Sequence, residues 1–392
     1  MQLNDMQRRA WAEIDLDAIE YNYNKIKGML PEDTSICCIV KADGYGHGSV
    51  RIARLFEELC ADYLAVSNIN EAMTLRNAGI TLPILILGYT PVSCAKILAD
   101  YKITQCVYSY EYGKDLADSA VQNNVRITIH IKIDVGMGRL GFVVRNKSNG
   151  ALEEILELCR NKSFIPQGIF THFPMAGEGN ADIGYSKKQF EKFVQVCDAL
   201  SEHGINFDIK HCSNSAATLK YSRFSLDMVR VGIALYGVSP SDDITNMGLI
   251  NTISLKSVVS NVKLIKKGET IGYGSEYVAQ KDIKVATLPI GYADGFKCEN
   301  FYNGTKIIVD GVPCNIVGRV CMDQTMIDVS EVDTISIGDE VVVYGGDSGV
   351  SIEEFAKNNK KIPYEAMCEI SARVPRVYIR HGVCDEVRES FV

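Results

Sequence analysis

The stretch SICCIVKADGYGHG, residues 35–48, sets an unbroken apolar run against a lysine and then a glycine-rich turn. A run that is apolar throughout, rather than alternating, reads as a strand buried on both faces, which is how parallel strands are used. In a doubly wound open sheet the first strand would feed a glycine-rich phosphate turn directly; here Lys41 closes the strand instead. Seven further runs share this character: YLAVS (63–67), ILILG (84–88), QCVYS (105–109), ITIHIKID (127–134), GIFTH (168–172), FDIKH (207–211) and MVRVGI (228–233). Amphipathic segments at helical spacing lie between them, among them LDAIEYNYNKIKGML (16–30), ALEEILELCR (151–160) and SKKQFEKFVQVCDALSEHG (186–204). Eight strand-helix units in one span, residues 12–245, predict a closed (β/α)₈ barrel of the TIM type, with a doubly wound sheet as the alternative.

The pattern changes over residues 246–392. Alternating runs follow at short intervals: SLKSVVSNVKLI, TIGYGSEYV, IKVATLPIGYA, KIIVDGVPCNIVG, TMIDVS and DEVVVYG. The Asp310-Gly311 pair suits a tight hairpin turn, because glycine tolerates φ > 0. This half reads as a mainly-β domain with one helical excursion (SIEEFAKNNKK) and a final strand (VPRVYIR). Residues 1–11 are expected to pack with it.

Composition excludes several classes. With 392 residues, 46% hydrophobic and 23% charged, the chain can bury a large core and is not disordered. A formal net charge of −8 argues against nucleic acid as a main partner. The 13 cysteines include no C-x-x-C pair and no zinc-like spacing with histidine, so free thiols in a reducing compartment and no metal site are expected. No apolar run approaches the ~18 residues of a membrane span, and the N-terminal residues carry charge throughout; a soluble cytoplasmic protein is the expectation.

Barrel active sites sit at the C-terminal ends of the strands, which singles out Lys41, His172, His211 and Arg230 before any family is considered. Phosphate sites favour the loops after the seventh and eighth strands, here HCSNSAA and RVGIALYG: Asn214 and Ser215 open a helix, and Gly232 lets backbone approach a ligand. A buried lysine loses charge and becomes a nucleophile or base. Beside a phosphate site it suggests pyridoxal phosphate held as a Schiff base. GMGRLG (136–141) is no dinucleotide fingerprint, since FVVRNKSNG rather than a helix follows it.

Nine motifs in order, VKADGYGHG, IKIDVGMGRLGF, THF, HCSNSAA, MVRVGIALYG, IGYGSEY, IGYADG, GRVCMDQ and IPYE, make the chain resemble the alanine racemases over nearly its whole length. Asp43-Gly44 departs from that family's usual Asn-Ala, for which altered loop packing is expected. The resemblance implies that Lys41 bonds the cofactor aldehyde and serves as one racemising base, and that Tyr273 is the other. It implies that Tyr45, Asn214, Ser215, Gly232, Ile233 and Tyr364 hold the cofactor around its phosphate. His172 would lie against the ring, His211 beneath the site, and Arg230 at the pyridine nitrogen. Arg139, Met322, Asp323 and Tyr292 would meet the substrate or line its entrance, and Lys132 matches a lysine that members carry as a carbamate. His130 and His203 match no motif and read as structural.

Two bases on opposite faces suit racemisation, because one base would have to swing around the substrate. A tyrosine base needs nearby positive charge at neutral pH, for which Arg230 and His172 are the candidates. The implied function is alanine racemisation, an isomerase reaction supplying D-alanine for peptidoglycan, by a homodimer with shared active sites. A serine or broad-specificity racemase is the first alternative. A pyridoxal-phosphate decarboxylase and a non-catalytic cofactor-binding barrel are weaker ones, the last because such a protein has no β domain.

Overall fold

The computed structural model describes residues 9–144, 150–176, 182–241, 244, 247–346 and 349–389. Strands Ser35–Ile39, Tyr63–Val66, Ile84–Ile86, Ile103–Val107, Ile127–Lys132, Phe164–Phe170 and Ile209–His211 pair parallel in chain order, and Met228–Val231 pairs parallel with the first. Across the remaining seam the Asp227 N–H donates to Lys210 O (3.1 Å) and the Arg230 N–H to Ser213 O (2.9 Å). The eight strands therefore form the barrel that their apolar runs predict. Helices cover it, and polar caps mark their starts: Asp15, Asn68, Ser109 and Asn214 each accept from a first-turn N–H. No described helix is long and apolar enough to cross a membrane.

The second body is a ten-stranded sheet, antiparallel except at one pairing. Its N-terminal member, Ala10–Asp15, lies between Ile253–Val258 and Arg376–Arg380, so the chain starts in this sheet and enters the barrel side through the helix Leu16–Lys27. The expected boundary at residue 12 falls inside that strand. The expected packing of residues 1–8 lies outside the described residues. Lys306–Val309 and Val312–Ile316 form the hairpin read from Asp310-Gly311, whose φ values of 47° and 76° are those of a type I′ turn.

The first barrel strand ends at Ile39, two residues before Lys41. Residues 42–45 take φ values of 52°, 54°, 64° and 53°, a left-handed turn in which only residue 44 is glycine. Each non-glycine residue there costs about 1–2 kcal/mol, so the turn must be held from outside. Asp43 accepts from the Ser49 N–H (2.8 Å) and Oγ (3.1 Å), and the Arg388 Nη1 reaches both its oxygens at 2.9 and 3.1 Å. Arg376 donates to Gly46 O (2.9 Å) and Tyr378 to His47 O (3.0 Å). The last hairpin of the β sheet, Arg376–Arg388, thus grips the lysine turn.

The Asp43-Gly44 variation acquires a reason here. Glycine occupies a left-handed position without strain, and the aspartate gives Arg388 a carboxylate partner. In a double-mutant cycle of Asp43→Asn and Arg388→Ala, we expect a coupling of about 0.5–1 kcal/mol by urea unfolding, modest because both groups are partly solvated. Additive effects would remove this account of the pair.

Candidate active site

A cavity of about 450 Å³ opens at the C-terminal ends of the barrel strands, lined by Lys41, Tyr45, Lys132, Arg139, His172, Asn214, Ser215, Arg230, Gly232, Ile233 and Tyr364 among others. Five different barrel strand ends or following loops supply these side chains, because parallel strands of one barrel all deliver their C-termini to the same rim, and Tyr364 reaches in from the helix Pro363–Cys368 of the β domain.

One side of the cavity presents hydrogen-bond donors that could hold an anion. The Gly232 N–H donates to Ser215 Oγ (2.9 Å), which leaves the serine hydroxyl hydrogen for a ligand. A Cβ at residue 232 would stand 2.6 Å from the Tyr45 hydroxyl, so only glycine lets that phenol reach the backbone there. The helices Ser215–Lys220 and Ile233–Tyr236 begin at this point, and their first N–H groups have no partner within their own helices. Tyr45 stands 6.0 Å from Tyr364 and 4.9 Å from Tyr236, ring to ring. Burial raises the Tyr45 phenol well above its ordinary range and pushes Tyr364 up to about 12, so both remain donors. Among the described residues, no carboxylate lines the cavity.

The other side is cationic. Burial, with help from Arg139, lowers the Lys41 pKa, against opposing pulls from Glu71 and Cys368. Lys132 is buried over the Phe170 ring (5.3 Å) and is pushed down to about 8, chiefly by burial. No ion pair joins it to nearby Asp134 among the described residues; Asp134 accepts from the Gly136 N–H (2.8 Å). Arg230 donates to Thr171 O (2.7 Å), Cys212 O (3.3 Å), His211 Nδ1 (3.0 Å) and His172 Nδ1 (3.4 Å), which fixes its guanidinium in the barrel. Burial and then Arg230 hold His172 well below the ordinary imidazole range, so it is neutral. His211 lies beneath, stacked on Phe170 (4.8 Å).

Four of the residues singled out by sequence, Tyr273, Tyr292, Met322 and Asp323, do not line this cavity. They gather on the β domain around the backbone 318–323. A Cβ at Gly291 would stand 2.2 Å from Cys321 O, so the Tyr292 turn is pressed onto the Met322 loop. Glu276 pairs with Arg319 and accepts from the Tyr302 hydroxyl (2.7 Å), which anchors the turn bearing Tyr273. Arg373 bridges Asp323 (2.6 Å) to buried Asp294 (2.7 Å). Tyr273 is 72% exposed, Met322 53% and Tyr292 41%, unusual openness for apolar groups in one patch.

Sequence reading missed Ser67, Leu87 and Phe170 in the lining. Ser67 and Leu87 follow directly on barrel strands, so the strand-end rule that found Lys41 was able to find them too.

Fold and site together define a two-domain barrel enzyme whose rim offers a low-pKa amine beside an anion cradle. Family models described as the alanine racemase N-terminal and C-terminal domains match residues 14–240 and 252–378. An alanine racemase of Clostridium tetani is 43% identical over 379 residues, 96% of each chain. A solved alanine racemase of Clostridium difficile superposes with a TM-score of 0.93 at 40% identity, covering 98% of this chain and 99% of that one. One of Bacillus anthracis, with bound L-Ala-P, gives 0.91 at 36% identity, covering 97% and 98%. The chain belongs to the alanine racemase family.

Proposed function

We propose that this chain interconverts L- and D-alanine with pyridoxal phosphate. The observation that carries the reading is Lys41, an amine of lowered pKa, sharing one cavity with the carboxylate-free cradle of Tyr45, Ser215, Gly232, Ile233 and Tyr364. Those residues fit an aldehyde that also bears a phosphate: donors face the anion, Gly232 leaves the space a Cβ would fill, and the amine faces the aldehyde. Bound there, pyridoxal phosphate would supply the electron sink that makes an amino acid's α-proton removable.

The chain's own groups do the rest. Lys41 Nζ would hold the aldehyde between turnovers and would carry the α-proton on one face. Arg230, a donor that does not surrender its proton at neutral pH, would face the ring nitrogen of the bound group and keep it unprotonated, which would limit side reactions. His172 would lie against the ring, and Asn214 anchors its neighbour loop by donating to Phe173 O (3.1 Å). Arg139 orients the substrate carboxylate. Tyr364 narrows the pocket to about a methyl side chain, which favours alanine; weak serine turnover is expected, because hydrophobic pockets reject an added hydroxyl poorly.

Tyr273, Tyr292, Met322 and Asp323 act in this proposal on the cavity of a second copy. An exposed aromatic patch bearing Tyr273, and a cavity whose described lining does not include Tyr273, both suit a homodimer with shared active sites. D-alanine supply for peptidoglycan in the cytoplasm is the proposed role. Lys132 is proposed to react as its neutral amine with carbon dioxide, forming a carbamate and releasing a proton, and to set its negative charge against Arg139. A ¹³C-carbonate-labelled sample should show one protected carbamate signal that Lys132→Ala removes; an unchanged spectrum rejects the modification.

Incubation with L-alanine, followed by coupled oxidation of D-alanine, tests the reaction. A yellow protein that forms no D-alanine refutes racemisation, and carbon dioxide release would point to decarboxylation.

A further inference from the structure

Behind Arg230, on the side away from the cavity, lies a line of polar side chains, buried except for half-buried Gln167, that no step above uses. Arg230 Nη1 is 3.0 Å from His211 Nδ1, and His211 Nε2 is 2.9 Å from His130 Nδ1. His130 Nε2 is 3.4 Å from Gln167 Oε1, which also accepts from the Tyr63 hydroxyl at 3.1 Å. Tyr63 Oη is 2.9 Å from Thr104 Oγ1. Both histidines are fully buried.

Donor and acceptor counting allows this line one proton arrangement. Arginine only donates, so His211 Nδ1 carries no hydrogen. A neutral imidazole then has its hydrogen on Nε2, which points at His130 and requires a bare Nδ1 there. The His130 hydrogen therefore sits on Nε2 and goes to Gln167 Oε1. The Tyr63 hydrogen goes to the same oxygen, so Thr104 donates to Tyr63. Turning the Gln167 amide round would aim an N–H at the His130 Nε2–H. Protonating His211 would aim an N–H at Arg230. Burial, reinforced by Arg230, holds both imidazoles below their ordinary range, in keeping with two neutral rings.

The backbone makes room for this line. Between the strands Ile127–Lys132 and Phe164–Phe170 the register shifts: Ile129 pairs with Pro166 but His130 with Gly168, which leaves Gln167 as the bulged residue. A Cβ at residue 168 would stand 2.6–2.7 Å from three atoms of the His130 ring. A bulge delivers the glutamine and a glycine clears space for the histidine.

We propose that His130 is a positioning residue for Arg230. By accepting from His211 Nε2 it fixes the tautomer in which His211 accepts from Arg230, while Gln167, Tyr63 and Thr104 fix His130 in turn. Its catalytic consequence rests on the reading of Arg230 as the group facing the cofactor; its structural content does not, and the experiment separates the two.

The first measurement uses ¹⁵N-histidine-labelled protein without cofactor, with the His130 signals identified by their loss in His130→Asn. Long-range ¹H–¹⁵N spectra at neutral pH should show His130 and His211 as single Nε2–H tautomers. An Nδ1–H on His130 overturns the proposal, whether or not the protein binds pyridoxal phosphate. The second compares His130→Leu, which removes the acceptor, with His130→Asn, which keeps an oxygen near the Nδ1 position. In His130→Leu the His211 single-tautomer signature should vanish. In the loaded enzyme kcat should fall roughly ten- to hundredfold with KM nearly unchanged, the scale expected when a buried donor loses its partner. His130→Asn should restore both. Loss of either property without the other overturns the proposal, as does retention of both in His130→Leu. Should His130→Leu not fold, Gly168→Ala, which displaces the ring from outside the cavity, is read by the same two criteria.

Discussion

Lys41→Ala is expected to lower racemisation by at least ~10³-fold, because in the proposed mechanism one change removes both the covalent anchor for the aldehyde and a general base. The protein should still fold, since the side chain makes no ion pair among the described residues and the turn around it is held by Asp43, Arg376, Tyr378 and Arg388. Borohydride reduction of the loaded enzyme followed by peptide mass analysis should place the pyridoxyl group on Lys41, and a label on any other lysine removes the basis of the mechanism. The same amine sets a pH dependence. Burial and Arg139 lower its pKa, so the neutral, reactive form persists to lower pH than for an ordinary lysine. The rate at which cofactor-free protein captures the aldehyde should therefore rise with pH about a midpoint below that of a free lysine side chain. Arg139→Ala should move this midpoint up, since it takes away a cation that disfavours the protonated amine. A midpoint that stays put or falls contradicts the electrostatic reading.

Tyr273→Phe is expected to cost about 10²- to 10⁴-fold in racemisation, the range for a positioned acid–base group. The loss should be one-sided in a way that mere misfolding would not produce. With Lys41 intact, the variant should still exchange the α-hydrogen of one alanine enantiomer with deuterated solvent while failing to invert it. Equal loss of exchange for both enantiomers would assign the second base elsewhere. The shared-site proposal adds a stricter test. Inactive Lys41→Ala and Tyr273→Phe proteins, mixed in equal amounts and allowed to exchange subunits, should recover activity. A mixed dimer carries both lesions in one site and none in the other. With half of the dimers mixed and half of their sites intact, roughly a quarter of wild-type activity should return. Proven exchange without recovery would show that Tyr273 serves its own chain's cavity or none.

Much of this was legible in the sequence for a local reason. Whether a segment such as SICCIV or YLAVS is buried on both faces shows in its own run of side chains, so all eight barrel strands could be found one at a time. Once the barrel was read, the rule that its strand ends carry the chemistry picked out Lys41, His172 and Arg230 without further information. The Asp310-Gly311 turn was equally local, since φ > 0 at two successive residues is demanded by the turn itself. The family motifs extended this to the cradle residues, Tyr45, Ser215, Gly232 and Tyr364, which the structure gathers on one side of one cavity.

His130 shows where local reading stops. In sequence it is one polar residue in ITIHIKID, and nothing near it says which partner it meets. Its role appears only when a register shift sets it opposite Gly168 and 2.9 Å from His211, a residue 81 positions away. The lysine turn is similar: KADGYGHG announces glycine-rich geometry, but the hold on its left-handed residues comes from Arg376, Tyr378 and Arg388, more than 300 residues later. The placement of Ala10–Asp15 between two strands of the far domain is likewise a matter of pairing, not of pattern. Sequence alone determined which residues form strands, which amine stands at the barrel rim, and which family the chemistry resembles, because burial and turn geometry leave marks within a few residues. Only the tertiary structure decided the left-handed clamp on Lys41, the proton order behind Arg230, and the separation of Tyr273 from its own chain's cavity. Those depend on register, bulges and distances between segments that share no local signal.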